Sequence, residues 1–337
     1  MRVAVVIPCL NEVGYIEGTI NSLLESDLEG IALEVLVVDG ISSDGTIDIV
    51  RRIEKQDQRV RLISNEKKVT PVALNLGIKQ ANDAEIIIIL GAHSEVNKDF
   101  VKRNAEVLRD QPQADCVGGL IDNVFENETA QIVGIAMSSP FGVGNATFRT
   151  GGKPGFVETV AFGAYRREVF LKIGFFDERL VRNQDDEFNF RIIKNGGKIY
   201  FDPSIRSKYY VRSSYKKLSK QYFQYGYWKV YVNALHNTVT TWRQTVPFFF
   251  VLFLTIMTIL TLIDDFFFRF LLAGISAWFI GSLFAAMERR CPSWQWHRLI
   301  LVFLILHLSY GTGYAKGIID FLILKKRPDT ESPNITR

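Results

Sequence analysis

Two apolar runs near the amino terminus, each ending in acidic residues, constrain the fold of this 337-residue chain more than any other feature. The first is VAVVIPCLNE, Val3 to Glu12, and the second is VLVVDGISSDGT, Val35 to Thr46. Each begins as a continuous β-branched stretch, the pattern of a strand buried on both faces of a parallel sheet. Each ends where such a strand hands over to a helix, and open α/β sheets bind ligands at those carboxyl ends. This reading gathers Glu12, Asp39 and Asp44 into one crevice. Asp44, just before GTIDIV, also suits a plain helix cap. Asp39, directly after a buried strand, suits a ligand role better.

The alternation continues. Ile16, Ile20, Leu23 and Leu24 follow helical spacing, with an end near Gly30. Ile49, Val50 and Ile53 mark a second helix, and VRLIS, Val60 to Ser64, a short strand. Thr70 then reads as a cap, with Pro71 in the first turn of a third helix. EIIIIL, Glu85 to Leu90, is too uniformly apolar for an edge strand and is expected at the centre of the sheet. Together these predict an α/β fold, Rossmann-like, with a mostly parallel sheet and flanking helices. No internal repeat interrupts it. Ser138 to Arg167 is rich in Gly and aromatics and poor in periodicity. It reads as a functional loop that folds over the active site and helps form an acceptor site, or as a loop that is simply packed.

The formal charge is only +4, and most basic residues are scattered. Their one cluster, RSKYYVRSSYKKLSK from Arg206 to Lys220, suits a surface near anionic lipid or a pyrophosphate, or a plainly solvated segment. Nucleic acid as a partner would need a broader basic face. Cys9, Cys116 and Cys291 are far apart without metal-like spacing, so reduced thiols in a cytosolic compartment are expected. Val3 opens a strand at once, so no leader peptide is expected.

The last third of the chain changes character. Val246 to Ile263 and Phe270 to Met287 are each eighteen residues without a charge. At 1.5 Å per residue each approaches the ~30 Å thickness of a bilayer core. Asp264, Asp265 and Arg269 break the stretch between them, as in a tight hairpin. Leu299 to Ala315 is a third candidate, continuing through GIIDFLIL but carrying His307, Lys316 and Asp320. Arg289, Arg290 and Arg298 place the second loop in the cytosol by the positive-inside rule. Three full spans would then export Lys325 to Arg327, against the same rule. Either the third segment is re-entrant or interfacial, or the tail breaks the rule. The expected division is a cytosolic catalytic domain over 1–230 and an interfacial and transmembrane region over 231–337.

The two opening segments closely resemble family-two nucleotide-sugar glycosyltransferases, whose sequences read close to PxxNE and then VDDGSxDGT. Pro8, Asn11, Glu12, Asp39 and Asp44 match, while Gly40 stands where a second Asp is usual. The resemblance implies a GT-A fold in which these carboxylates hold the uridine of a UDP-sugar. After the central strand the family usually has Asp-x-Asp for the metal and the sugar diphosphate, and a subgroup resembling succinoglycan-type exopolysaccharide glycosyltransferases has Asp-Ala-His. This chain has Gly91, Ala92 and His93, so the resemblance leaves His93 as the metal ligand of the motif, while a lone His after a strand equally suits a structural role. A divalent ion, Mn or Mg, is then expected to bind weakly and with the nucleotide. Lys67 and Lys68 are candidates to carry part of the neutralisation, the subgroup often having Arg at the second.

The catalytic candidate is RNQDDEFNFRIIKNGGKIYFDP, Arg182 to Pro203. Inverting transfer needs a carboxylate to take the proton of the attacking hydroxyl. By resemblance the base falls on Asp185 and a later acid on Glu187, with Gln184 replacing the usual Glu. Asp186 stays open as an alternative base, and an acidic helix start needs no catalytic purpose. KQYFQYGYWK, Lys220 to Lys229, resembles the Gln-x-x-Arg-Trp element that packs near the acceptor end and diphosphate in processive relatives. Gln224 and Trp228 match, Tyr227 stands in place of Arg, and Lys229 is the substitute cation. A surface helix with Tyr and Trp as interfacial anchors is the other reading of this segment.

The sequence thus predicts a membrane-bound, inverting glycosyltransferase at the inner (plasma) membrane. A UDP-sugar would be the donor and a polyprenyl-diphosphate-linked saccharide the acceptor, with membrane lipid and other polysaccharide-assembly proteins as partners. Two rivals remain: a polyprenyl-phosphate sugar synthase, and a catalytically silent membrane scaffold, since Gly40, Gly91 and Gln184 all depart from the family pattern.

Overall fold

The computed structural model describes residues 1–81, 83–211, 213–289 and 291–328. Arg290, one of the arginines used to orient the membrane loop, lies outside the described residues, as does Arg212 of the basic cluster. The chain divides into two units, Met1–Val124 with Thr147–Tyr210, and Phe125–Ala146 with Val211–Arg327.

In chain order the elements begin β1 (Arg2–Cys9), α1 (Ile16–Leu24), β2 (Ala32–Asp39), α2 (Thr46–Gln56), β3 (Val60–Ser64), α3 (Thr70–Gln80) and β4 (Ile86–Ile89). Next come β5 (Ser94–Val96), α4 (Phe100–Asp110), β6 (Cys116–Val124), α5 (Glu128–Met137), α6 (Pro140–Val143) and α7 (Thr147–Thr150). They are followed by β7 (Gly155–Val157), β8 (Ala161–Arg166), α8 (Arg167–Ile173), α9 (Gln184–Lys194) and β9 (Ile199–Tyr210). The chain closes with α10 (Tyr215–His236), α11 (Val246–Thr261), α12 (Phe266–Glu288) and α13 (Trp296–Gly317).

All strands join one sheet of order β3-β2-β1-β4-β8-β6-β9-β5, with β7 also on β9. The expected alternation gives the parallel block β3-β2-β1-β4, and EIIIIL is indeed central. The sheet as a whole is mixed, because β8 runs antiparallel to both β4 and β6. The pleat explains why β1 and β2 read as unbroken apolar runs. Val3, Val5, Ile7, Val35 and Val37 face one layer, with Ile16, Ile20 and Leu23 of α1 and Val50 of α2. Ala4, Val6, Leu36 and Val38 face the other, with Leu74 and Ile78 of α3 and Phe188 of α9. Each such side chain contributes about 1.5–3 kcal/mol on burial. Helix α3 approaches β1 so closely that a Cβ on Gly77 would lie 2.4 Å from Val6 Cγ1, so only glycine fits there.

Two local expectations are corrected. The cap of α3 is Val69, and Thr70 is already helical, with Pro71 still in the first turn. The stretch Ser138 to Arg167 is not one loop: it forms α6, α7, β7 and β8, and β8 is a sheet strand next to β4.

In the second unit, α10 and α13 meet at backbone distance. A Cβ on Gly226 would stand 2.0 Å from the Tyr310 carbonyl oxygen, and one on Gly313 would stand 2.0 Å from that of Phe223. Small residues permit this approach, as in packed membrane helices. Trp228 is buried, with its ring 5.8 Å from Phe321 and 6.0 Å from Tyr231. That corrects the surface-helix reading, since Trp228 packs inside the unit and is not an exposed anchor. Residue 230 falls inside the unbroken helix α10. Trp242–Thr261, Phe266–Glu288 and Ser293–Ile323 are long and apolar enough to cross a membrane. The third run ends in a π-helix over Ile318–Ile323, and its polar residues are tied together. Asp320 accepts from Tyr227 Oη at 3.1 Å and from Lys316 and Lys326 Nζ, each at 2.9 Å.

Candidate active site

The turns after β1 and β2 are locked to each other. Glu12 N donates to Thr46 Oγ1 at 2.8 Å, and Val13 N to Asp44 Oδ2 at 3.1 Å. Asn11 N donates to Ser42 Oγ at 2.7 Å, and Ser43 N to Asn11 Oδ1 at 2.9 Å. Asp44 Oδ1 also accepts from the Thr46 backbone at 3.0 Å and hydroxyl at 2.6 Å. Burial opposes the charged form of Asp44, but the bonds from Thr46 and Val13 outweigh it and hold the carboxyl below its ordinary range. Asp44 therefore does the work of a cap from one position before Gly45, the cap residue, whose φ of 99° suits glycine. Asp39 is only 2% exposed, and its two oxygens accept from Ser42 N at 2.7 Å and Ser42 Oγ at 2.6 Å. Gly40 is packed tightly, because a Cβ there would come within 3.3 Å of Leu10 Cδ1.

Backbone strain collects at this edge. Asn11 (φ 55°), Ile41 (φ 62°) and Lys68 (φ 57°) are left-handed and follow β1, β2 and β3; Phe162 (φ 50°) lies beside the end of β4. Asparagine tolerates this conformation, whereas a β-branched isoleucine does not. Such residues cost on the order of 1–3 kcal/mol each and cluster at functional sites.

After β4, Gly91 lies against Phe162. A Cβ there would be 3.3 Å from Phe162 Cε1, so the ring fills the room a longer side chain would need. The Ala92 carbonyl is fixed by Thr19 Oγ1 at 2.9 Å. His93 is partly exposed, with Nδ1 3.8 Å from Glu12 Oε1 and its ring 5.3 Å from Tyr209 and 6.4 Å from Tyr15. Glu95 is engaged elsewhere. Tyr210 Oη donates to it at 2.6 Å and Lys208 Nζ lies at 3.3 Å; the Tyr210 bond chiefly holds its carboxyl below the ordinary range. Among the described residues no group of three His, Cys, Asp or Glu could hold a metal ion. His93, partly exposed beside Glu12, is the imidazole of this turn that could face an ion.

Helix α9 starts from Asn183, left-handed at φ 61°. Its first turn grades inward: Asp185 is exposed, Asp186 half-buried and Glu187 1% exposed. Glu187 is clamped by Arg191, from Nε at 2.6 Å and Nη2 at 2.9 Å. Arg191 also donates to the Ile173 carbonyl at 2.8 Å and the Phe175 carbonyl at 2.7 Å. Asn189, one turn beyond Asp185 on the same face, accepts from Tyr165 Oη of β8 at 3.2 Å and donates to Thr159 Oγ1 at 2.8 Å. Burial pushes the Tyr165 hydroxyl far up, and the charges of Cys116 and Asp185 add to this. The helix start is thus pinned to the sheet with Asp185 on the Tyr165 side.

The first unit therefore holds Pro8, Asn11, Glu12, Asp39, Asp44, Lys68, Gly91, Ala92, His93 and the acidic turn of α9. Lys67 Nζ lies 3.5 Å from Glu178. Gln224, Trp228 and Lys229 belong to the second unit. Lys229 is 1% exposed and its Nζ lies 3.4 Å from Thr241 Oγ1. Sequence reasoning did not single out Ser42 and Thr46, which bond to the turns after β1 and β2, or Tyr209, whose ring lies beside His93. The serine pair after Asp39 was a usable signal, because Asp and Ser in a turn bond to each other locally.

Three comparisons bear on this arrangement. The family described as Glycosyl transferase family 2 matches residues 4–174. A dolichyl N-acetyl-alpha-D-glucosaminyl phosphate 3-beta-D-2,3-diacetamido-2,3-dideoxy-beta-D-glucuronosyltransferase of Methanococcus voltae is 31% identical over 94% of this chain and 97% of its own. Succinoglycan biosynthesis protein ExoA of Rhizobium meliloti (strain 1021) is 27% identical over 94% of this chain and 95% of its own. Among solved structures, the mannosyltransferase PcManGT from Pyrobaculum calidifontis in complex with GDP-Man and Mn2+ superposes with a TM-score of 0.60. It covers 93% of this chain and 86% of its own at 16% identity, a likeness of fold. The chain belongs to glycosyl transferase family 2 and is a GT-A glycosyltransferase.

Proposed function

We propose that this enzyme transfers a sugar, with inversion, from a UDP-linked donor to a polyprenyl-diphosphate-linked saccharide in surface or exopolysaccharide synthesis. The observation that carries the reading is the exposed Asp185 on a helix start pinned by Glu187–Arg191 and Tyr165–Asn189, in the same unit as Asp39, Glu12 and His93. Asp185 accepts the proton of an acceptor hydroxyl while that oxygen attacks the anomeric carbon. The bond to the diphosphate breaks on the opposite face, and UDP leaves with the electron pair. A divalent ion, when bound, supplies charge neutralisation of the departing diphosphate, with His93 as its protein ligand. A lipid-linked sugar as acceptor is supported by the relative that acts on a dolichyl-linked sugar phosphate, and a role in polysaccharide synthesis by the succinoglycan protein; the diphosphate linkage is our own assignment. The three apolar helices of the second unit support a multi-pass membrane protein, and we assign catalysis to the first unit, Met1–Val124 with Thr147–Tyr210, on the cytosolic side of the plasma membrane.

Asp39 is assigned to the uracil ring N–H. A carboxylate has about four lone-pair positions; Ser42 takes two of them, which leaves acceptor capacity at a rigid site. Asp39→Ala should weaken UDP binding about tenfold or more in calorimetry, since a charge-assisted bond is worth roughly 1.5–3 kcal/mol. Unchanged affinity removes Asp39 from the site.

Metal dependence has its own test. Magnesium prefers oxygen ligands, whereas manganese also accepts imidazole. Activity should fall in EDTA and return with Mn at least as well as with Mg, and His93→Ala should need more metal. Full activity in EDTA would show that cationic side chains suffice and that His93 is structural.

A further inference from the structure

Arg149 lies on α7, in the Gly-rich stretch, and the transfer step described above makes no use of it. Its guanidinium carbon is 5.5 Å from the ring centre of Phe148 and 5.4 Å from that of Tyr209. Nη1 is buried and has no hydrogen-bond partner among the described residues. The same Tyr209 ring lies 5.3 Å from His93, whose Nδ1 is 3.8 Å from Glu12. One aromatic ring thus connects the arginine to the crevice at the carboxyl ends of β1 and β4.

An arginine stays charged at any physiological pH, and a buried donor of such a cation is costly to leave unmade. Such aromatic contacts hold the cation without using its N–H donors, and those donors match an oxyanion fork to fork. The substrates of the proposed reaction carry such oxyanions, as the donor diphosphate and as the lipid-linked phosphate of the acceptor. Gly91 and Tyr227 stand where the family resembled usually has a metal-binding Asp and an Arg.

We propose that Arg149 binds a substrate phosphate group, an inference that rests on the nucleotide-sugar and lipid-linked reading above. The test uses the full chain in detergent, comparing wild type with Arg149→Gln. If the donor diphosphate is the ligand, the variant binds UDP about tenfold or more weakly while uridine affinity is unchanged. If the acceptor phosphate is the ligand, UDP affinity holds and the KM for a diphosphate-linked acceptor rises about tenfold or more, with kcat nearly constant. Equal losses of UDP and uridine affinity indicate a merely structural role and overturn the proposal, as does no change in any of these values. Should Arg149→Gln fail to fold, Arg149→Lys decides, because it keeps the charge without the fork. It should then weaken the phosphate-bearing ligand by about threefold and leave uridine alone, and parallel changes overturn the proposal. A wild-type protein that binds no nucleoside diphosphate and transfers no sugar instead defeats the underlying functional reading.

Discussion

Asp185→Asn is expected to lower the rate of sugar transfer by about 10²-fold or more, with affinity for UDP nearly unchanged. Three acids open α9, and their burial separates their roles. Glu187 is inside and committed to Arg191, so it is not positioned to meet an acceptor hydroxyl. Asp185 is exposed and shares a face with Asn189, which the Tyr165 hydroxyl ties to β8. Strand β8 lies beside β4, the strand that Gly91 to His93 follow. Asp186 projects from the next position around the helix, so Asp186→Asn should be mild. The isosteric amide keeps the helix start and removes only the proton acceptor. If Asp186→Asn is the damaging change and Asp185→Asn is mild, the base has been assigned one residue too early.

The largest effect on stability is expected from Glu187→Ala. It leaves the Arg191 guanidinium, which is 19% exposed, without its carboxylate partner while still donating to the Ile173 and Phe175 carbonyls. Breaking a buried pair from one side costs about 3–5 kcal/mol. For a unit of this size that is a fall in melting temperature on the order of 10 °C. Because the penalty comes from the stranded cation, Glu187→Ala with Arg191→Met should recover part of it, and Glu187→Gln should lose less than Glu187→Ala. Calorimetric melting of the three variants checks this. A melting point for Glu187→Ala within about 2 °C of wild type would show that the pair does not hold α9 in place.

The parts of the fold that could be read from sequence are those whose causes are local. The runs Val3–Cys9 and Val35–Val38 are apolar at every position because both faces of β1 and β2 are covered, and that leaves a pattern in consecutive residues. The membrane runs are legible for a similar reason, since length and absence of charge suffice. AFGAYR of β8 was not legible. It is six residues long, sits in a Gly-rich stretch, and gains its place only by pairing with β4 and β6 far away in sequence. Trp228 left two readings open because tyrosine and tryptophan on a helix look alike whether they anchor to lipid or pack on a partner. The glycines that bring α13 against α10 lie about ninety residues further on. At the site, the motif residues could be placed, but the bonds that fix them could not. Asp44 and Glu187 bind within the protein, and Phe162 explains why glycine is accommodated at position 91.

The central claim is that this chain carries out acceptor-dependent sugar transfer. The direct measurement is release of UDP from a panel of UDP-sugars by the full chain in detergent, with and without a diphosphate-linked saccharide extracted from membranes. The account predicts release that requires the acceptor, a product with inverted anomeric configuration, and loss of both in Asp185→Asn. Full turnover on a bare polyprenyl phosphate would replace the saccharide acceptor with a lipid phosphate. No release from any UDP-sugar in the presence of both acceptors would contradict the account.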